Sequence, residues 1–415
     1  MGARAGLIFP ACGGGRPGPI PPGYHRVMGS PVDPSPDTSR GGNFLLATCQ
    51  GGAEATLAER VARLLPGARR GAWRRGLVTF RLPATVSLPD DPLSGTLSDA
   101  IFARTACHCL GQVTGDDDRT RVAALMALLP AADYRHLHVW PRDPAGCTRP
   151  DDGDGSRATR AVIAAAFPGL HATDAVTGEF VIDVVIDGPD RWWVGWHRVA
   201  TASSALPGGV HPRSLPPEAV SRAWLKLDEA LASFAIAIEP GERAVELGAA
   251  PGGASQRLLD AGLDVVGIDP ALVDPVVAIH PRFTHWRKRA RDVRLRDFRG
   301  FDWIVADMNI DPASTLEAIG RIVTAPGVCP RGIVATLKLP DWSRAAALDG
   351  WLAEIRAWGY MPRARQLSTG GREVCVVALG RARRGPAATA PRARRPRGGR
   401  TLNHHPPRSR PRRDR

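Results

Sequence analysis

Arg243-Ala244-Val245-Glu246-Leu247-Gly248-Ala249-Ala250-Pro251-Gly252-Gly253 joins an apolar strand pattern to a small-residue loop, and a helical pattern follows from Ala254 to Ala261. A loop without bulky side chains lets backbone N–H groups approach a ligand. The start of the following helix adds free donors and a partial positive charge, so an anionic group belongs there. The next strand pattern, Leu263-Asp264-Val265-Val266-Gly267-Ile268, ends at Asp269. That is where a nucleotide-binding βαβ unit sets a carboxylate for ribose hydroxyls. The loop lacks G-x-G-x-x-G spacing, and a Gly-rich turn after a strand is structural at least as often as functional.

Outward from this unit, further strands are expected at Trp303–Ala306, Ile333–Leu337 and Val374–Leu379, with helices between them. Alternation of this kind gives a doubly wound α/β sheet with ligands at the strand C-terminal ends. Asp269, Asp307 and Lys338 all fall at or just past such ends. Upstream, a helix around Lys226 places Leu225, Leu227, Ala230, Leu231 and Phe234 within reach of a core.

The flanking segments sharpen the reading. They are Ser221-Arg222-Ala223-Trp224-Leu225-Lys226-Leu227-Asp228-Glu229-Ala230, Ala306-Asp307-Met308, Thr336-Leu337-Lys338-Leu339-Pro340 and Gly371-Arg372-Glu373-Val374. In this order around the glycine loop they resemble the FtsJ-like ribose 2′-O-methyltransferase family, over roughly Ser221 to Gly380. The resemblance implies a Rossmann-like methyltransferase domain with S-adenosylmethionine as cofactor and no metal. It maps a Lys-Asp-Lys-Glu tetrad onto Lys226, Asp307, Lys338 and Glu373, with Lys338 as the acceptor-activating amine. Asp307 holds that amine and lies near the methyl donor. Gly248 and the run Ala250, Pro251, Gly252 and Gly253 go to the cofactor, the last four at its methionyl end. Asp269 goes to its ribose and Asp292 to its adenine amino group. Two positions depart from the family pattern: Glu246 stands where Asp is usual, and Ala254 replaces a Trp, which leaves one pocket wall open.

Methyl transfer from a sulfonium is a one-step displacement, so acceptor oxygen, methyl carbon and sulfur must align and the acceptor must lose a proton. A nearby lysine amine stabilises the developing alkoxide or, if neutral, takes the proton. A second cation and a dry pocket are expected to lower that lysine's pKa, while two carboxylates orient the amines. Taken singly, each residue has a plain structural explanation: a solvated helix Lys, a capping Asp, a surface pair between Glu373 and Arg372. Asp292 lies in a charge-rich segment that reads equally well as an exposed loop.

At 415 residues the chain is long for one core, which favours several domains plus tails. Residues 1–42 are Gly/Pro/Ser-rich and expected to be disordered. Residues 43–200 read as an α+β ferredoxin-like region, 201–217 as a linker, 218–381 as the methyltransferase domain and 382–415 as a disordered Arg-rich tail. The N-terminal half has strand patterns at 43–49, 76–82, 136–140 and 179–186, and a hairpin closed by Arg191-Trp192-Trp193-Val194-Gly195-Trp196-His197-Arg198. By element order and this Trp-rich segment it looks like the THUMP-like RNA-capture region of the RlmM-like branch, which methylates a cytidine ribose in large-subunit ribosomal RNA. Its three Trp are read as packing between two domains in preference to stacking bases.

Net charge is +14, and the last 35 residues, with 13 Arg and one Asp, supply +12 of it. The tail is therefore either a solvated segment or an arm that holds RNA through its phosphates. If it is an arm, deleting residues 385–415 weakens RNA binding and flattens its salt dependence with cofactor affinity unchanged. An unchanged salt slope in a binding titration contradicts that. The seven Cys show no paired C-x-x-C spacing and read as reduced thiols. No apolar stretch has the length of a membrane span, so a cytoplasmic monomer acting on ribosomal RNA is expected. Two alternatives stay open: a catalytically silent RNA-binding assembly factor, and a base-modifying RNA methyltransferase on the same fold. The second is disfavoured by Ala306-Asp307-Met308-Asn309 standing in place of N-P-P-Y or D-P-P-Y.

Overall fold

The computed structural model describes residues 43–142, 154–171 and 174–380. The segments expected to be disordered, 1–42 and 382–415, lie outside them, as do Cys12 and Cys147. The N-terminal half runs β1 (Phe44–Thr48), α1 (Glu54–Leu64), β2 (Arg69–Arg74), β3 (Leu77–Arg81), β4 (Thr105–Thr114), α2 (Asp118–Leu128), β5 (Tyr134–Pro141), α3 (Asp154–Ala166), β6 (Phe180–Gly188) and β7 (Arg191–Arg198). These strands form one seven-stranded sheet in the order β2-β3-β1-β4-β7-β6-β5, antiparallel except where β5 meets β6. The seam is β4, ten residues that pair with β1 on one side and β7 on the other. Its Cys-His-Cys sequence conceals the strand, because two of the buried positions, Cys107 and Cys109, are not aliphatic residues.

The Trp residues of β7 do not lie between two domains. Trp192 joins Val113, Leu125, Val139 and Ile163 in a core on one face of this sheet, Trp193 packs with Cys107 and Trp140, and Trp196 stacks on His108 with ring centroids 4.2 Å apart. All three are buried, so none of them can stack an RNA base.

The second half runs α4 (Ala223–Ser233), β8 (Arg243–Leu247), α5 (Gly253–Asp260), β9 (Asp264–Ile268), α6 (Pro275–Ala278), β10 (Phe283–Trp286), β11 (Trp303–Ala306), α7 (Pro312–Val323), β12 (Gly332–Lys338), α8 (Leu348–Ala357), β13 (Tyr360–Arg365) and β14 (Glu373–Gly380). Its sheet order is β10-β9-β8-β11-β12-β14-β13; the strands from β10 to β12 are parallel and β14 is antiparallel to both neighbours. β8 and β11 are buried beneath helices on both faces and so read as near-continuous apolar runs. The chain reverses its direction of winding between them. A doubly wound sheet opens its ligand crevice at that switch point.

The segment 201–217, expected as a linker, packs into the interior as far as His211, while Arg213, Ser214 and Leu215 are exposed. Ser203, Ser204, Val210 and His211 are buried, and Arg365 of β13 reaches back to the Ser203 hydroxyl at 2.7 Å. One apolar core spans both halves, running from Leu57, Phe80 and Phe102 to Leu339, Leu348 and Leu352. Among the described residues no helix is long and apolar enough to cross a membrane.

Candidate active site

Four elements each deliver one charged side chain to a single point. α4 buries Leu225, Leu227, Ala230 and Leu231 and carries Lys226. Asp307 is the first residue beyond β11. Lys338 ends β12 and Glu373 begins β14, and the antiparallel register sets these two directly opposite. Lys226 Nζ lies 2.5 Å from Asp307 Oδ2 and 3.3 Å from Glu373 Oε1. Lys338 Nζ lies 2.7 Å from Asp307 Oδ1 and 2.6 Å from Glu373 Oε2. Charges thus alternate around a closed ring in which each amine touches both acids, and no charge is left unpaired. The four side chains are 12–21% exposed, closed enough to strengthen the pairs yet reachable by a substrate.

The electrostatics correct one expectation. Burial disfavours charge on Lys338, but Asp307 and Glu373 outweigh it and push the amine up to about 12. The lysine is not lowered towards neutrality; at neutral pH it is an ammonium, able to donate to a developing oxyanion. Burial likewise raises Asp307, and Lys226 and Lys338 overcome it and hold the carboxyl below its usual range.

The glycine loop sits beside this ring. Gly248 adopts φ +81°, and a Cβ there would fall 2.8 Å from Met308 Cγ, next to Asp307. Gly252 caps α5 with no side chain of its own, leaving the first helical N–H groups to a ligand. Asp269 Oδ2 accepts from Ala250 N at 3.1 Å and Oδ1 from Ala271 N at 2.8 Å, so the acid shapes the loop while keeping lone pairs free for hydroxyl donors. A small-residue cradle, open helix donors and a strand-end carboxylate fit a zwitterionic nucleoside such as S-adenosylmethionine.

Asp292 stands apart from these groups. It occupies an exposed turn, Ala290–Asp292, and its one ion pair among the described residues is with Arg291 at 3.9 Å. Arg321 of α7 ties the turn down through the carbonyls of Ala290 and Arg291. Ala254 does not leave an open wall, since it is buried and lines a narrow cleft with Ala223, Lys226, Leu227 and Asp307.

Glu246 is closed to ligands as well. It is 1% exposed and accepts the Ser255 hydroxyl at 2.5 Å, bracing the start of α5 from below. Burial, with the nearby Asp307 and Asp269 charges, pushes its carboxyl up to about 8 against an ordinary 4.5. The folded state therefore holds this proton more tightly than the unfolded chain, so Glu246's contribution to stability is full below about pH 4.5 and is lost as pH rises towards 8. Glu246→Gln is expected to flatten the decline of Tm over that window, and an identical decline in the variant would show that the proton sits elsewhere.

Sequence reasoning assigned no role to several residues that set the site. Glu229, one turn beyond Lys226, accepts from Ser368 N at 2.7 Å and Thr369 N at 2.8 Å and so anchors the loop leading to Glu373. Gln366 ties the same loop to Gly371 O at 3.1 Å and to Gln50 Oε1 of the N-terminal half at 2.6 Å. Glu229 stood inside the quoted helix motif. The Gln50–Gln366 pair spans 316 positions and left no signal in the sequence.

Residues 219–327 match the model of the FtsJ-like methyltransferase family. The chain is 30% identical to a "Ribosomal RNA large subunit methyltransferase M" of Halorhodospira halophila over 345 residues, which are 80% of this chain and 95% of that protein. The chain belongs to this methyltransferase family. A relative of the same name from Alkalilimnicola ehrlichii is 28% identical over 82% of this chain and 90% of its own length. A third, from Laribacter hongkongensis, is 35% identical over 45% of this chain and 54% of its own. Family membership makes the chain an S-adenosylmethionine-dependent methyltransferase. The full-length relatives span the N-terminal sheet too, so both halves are features of the family.

Proposed function

We propose that the chain transfers a methyl group to a ribose 2′-hydroxyl of large-subunit ribosomal RNA, with Lys226, Asp307, Lys338 and Glu373 as its catalytic residues. The observation that carries this reading is the Lys338 ammonium, clamped at 2.7 and 2.6 Å by two acids beside the glycine loop. When bound, S-adenosylmethionine supplies the electrophilic methyl. A ribose hydroxyl is a poor acid, so the protein's task is to stabilise negative charge on its oxygen as the methyl–oxygen bond forms, the methyl–sulfur bond breaks and the hydroxyl proton leaves to water. Lys338, fixed by its two acids, has one N–H left to aim at that oxygen. Lys226 balances the second charge of the carboxylate pair and, with Lys338, holds the Asp307 carboxyl below its usual range. Gly248, Ala250, Pro251, Gly252 and Gly253 take the methionyl end of the cofactor, Asp269 its ribose and Asp292 its adenine. The N-terminal region, residues 43–200, captures the RNA.

A base-modifying enzyme places an aromatic and carbonyl clamp after the strand that here ends at Ala306, and Asp307-Met308-Asn309 supply no such clamp at those positions. A silent assembly factor has no need of four charges in a closed ring. Tritiated methyl incorporation into ribosomal RNA from a strain lacking the gene tests the reading. The label enters large-subunit RNA under this account. RNA binding without transfer would favour the assembly factor.

A further inference from the structure

The edge of the N-terminal sheet carries a cluster of exposed arginines. β2 is exposed along its length apart from half-buried Ala72, and its only sheet partner is β3. Arg69 lies directly opposite Arg81, and both are exposed. Like charges face to face across a strand pair are destabilising. Among the described residues no ion pair relieves Arg69, Arg70 or Arg81, whereas Arg74 is drawn to the buried Asp187. A second feature lies on the same strand. In a regular strand Arg70 and Trp73, three residues apart, would point to opposite faces. The register shift between them turns both to one side, and the Arg70 guanidinium stands 4.5 Å above the Trp73 ring, which is 37% exposed. The buried tryptophans of β7 cannot stack a base; Trp73 can.

The turn that follows this edge is tied to the segment beyond Lys338. The turn after β2 is held by Gly76 N donating to Glu54 Oε1 at 2.6 Å, and Glu54 also accepts from Gly52 N at 2.9 Å. Gly52 abuts Trp342, since a Cβ there would lie 3.2 Å from the indole nitrogen, and Trp342 is four residues beyond Lys338. We propose that Arg69, Arg70, Arg81 and Trp73 form a platform for single-stranded RNA flanking the target nucleotide, the guanidiniums taking phosphates and the indole stacking a base. This deepens the ribosomal RNA reading above and rests on it.

The test uses the full chain and unmodified large-subunit ribosomal RNA transcribed in vitro. Arg69→Ala/Arg70→Ala/Arg81→Ala is expected to weaken RNA binding at least about tenfold and to lower the salt slope by about 2, at roughly 0.7 per lost single-strand phosphate contact. Trp73→Ala weakens binding about fivefold or more with the slope unchanged, and Trp73→Phe restores it, as stacking requires. In both weakened variants KM for RNA rises while kcat and cofactor affinity hold. Unchanged RNA affinity in stably folded variants overturns the proposal and leaves the arginines as a guard against edge-to-edge aggregation. Lost cofactor affinity overturns it too, by showing a structural role. If the wild type itself neither binds nor methylates this RNA, the substrate reading falls and the platform with it.

Discussion

Lys338→Ala abolishes methyl transfer, with kcat lowered about 10³-fold, while cofactor affinity stays within about twofold of wild type. The size follows from the role, since removing one preorganised donor to a developing oxyanion costs about 10²–10³ and a general acid or base about 10²–10⁴. The selectivity follows from the geometry. Lys338 Nζ contacts Asp307 and Glu373, whereas the glycine loop is held by Asp269 and by Met308 packing, neither of which depends on the amine. Truncation leaves the two acids sharing Lys226, which stands 2.5 Å and 3.3 Å from them, so each acid keeps one cationic partner and the fold survives. Lys338→Arg does not rescue, because a planar guanidinium cannot put a single N–H where the ammonium stood. Single-turnover transfer with saturating RNA, alongside a calorimetric titration with cofactor, checks both halves. Transfer within tenfold of wild type would remove Lys338 from the chemistry.

Gly253→Ala has the second largest expected effect, and it acts through packing. A methyl at this first residue of α5 would run into the Ser221 hydroxyl and sit 2.9 Å from the Ser221 carbonyl oxygen and 3.0 Å from Trp224 N. The last two are backbone atoms that a rotamer change cannot clear. Relief requires α5 to move away from α4, which carries Lys226, or the loop to shift from Asp269. Overpacking of this kind costs about 1–3 kcal/mol, or roughly 2–4 °C in Tm per kcal/mol for a domain of this size. Cofactor affinity is expected to drop at least about tenfold, and transfer falls with it because Lys226 leaves the ring. Differential scanning calorimetry and cofactor titration measure the two effects. Wild-type values for both would mean that α4 and α5 are not locked as the structure describes.

Most of the catalytic half was legible because its chemistry is local. Buried parallel strands announce themselves as apolar runs, and β8, β9, β11, β12 and β14 were readable within a residue or so of their bounds. β13 escaped notice because it is an edge strand, where Pro362 is tolerated. β10 is only four residues long. The tetrad was readable from motif order, but its electrical state was not. A lysine between two acids and a lysine beside another lysine look alike in one dimension, and only the ring of contacts shows that attraction to the acids wins over burial. The N-terminal half was less legible for a related reason. Its central strand β4 carries cysteines at buried positions around a half-buried histidine, and its tryptophans declare their burial only once both faces of the sheet are covered. The segment 201–217 looked like a linker because Ser, Pro and Gly are common in linkers, yet Gly208 and Gly209 are needed there to pass Trp140 and the Arg104 carbonyl closely.

The central claim is that the Lys226–Asp307–Lys338–Glu373 ring delivers a methyl group to a sugar oxygen and not to a base. Alkaline hydrolysis of RNA labelled by the enzyme with tritiated S-adenosylmethionine tests this directly, because a methylated 2′-oxygen cannot attack the neighbouring phosphate. The account predicts that the tritium is recovered in alkali-stable dinucleotides. Tritium recovered in mononucleotides, with the methyl on the base, would contradict it.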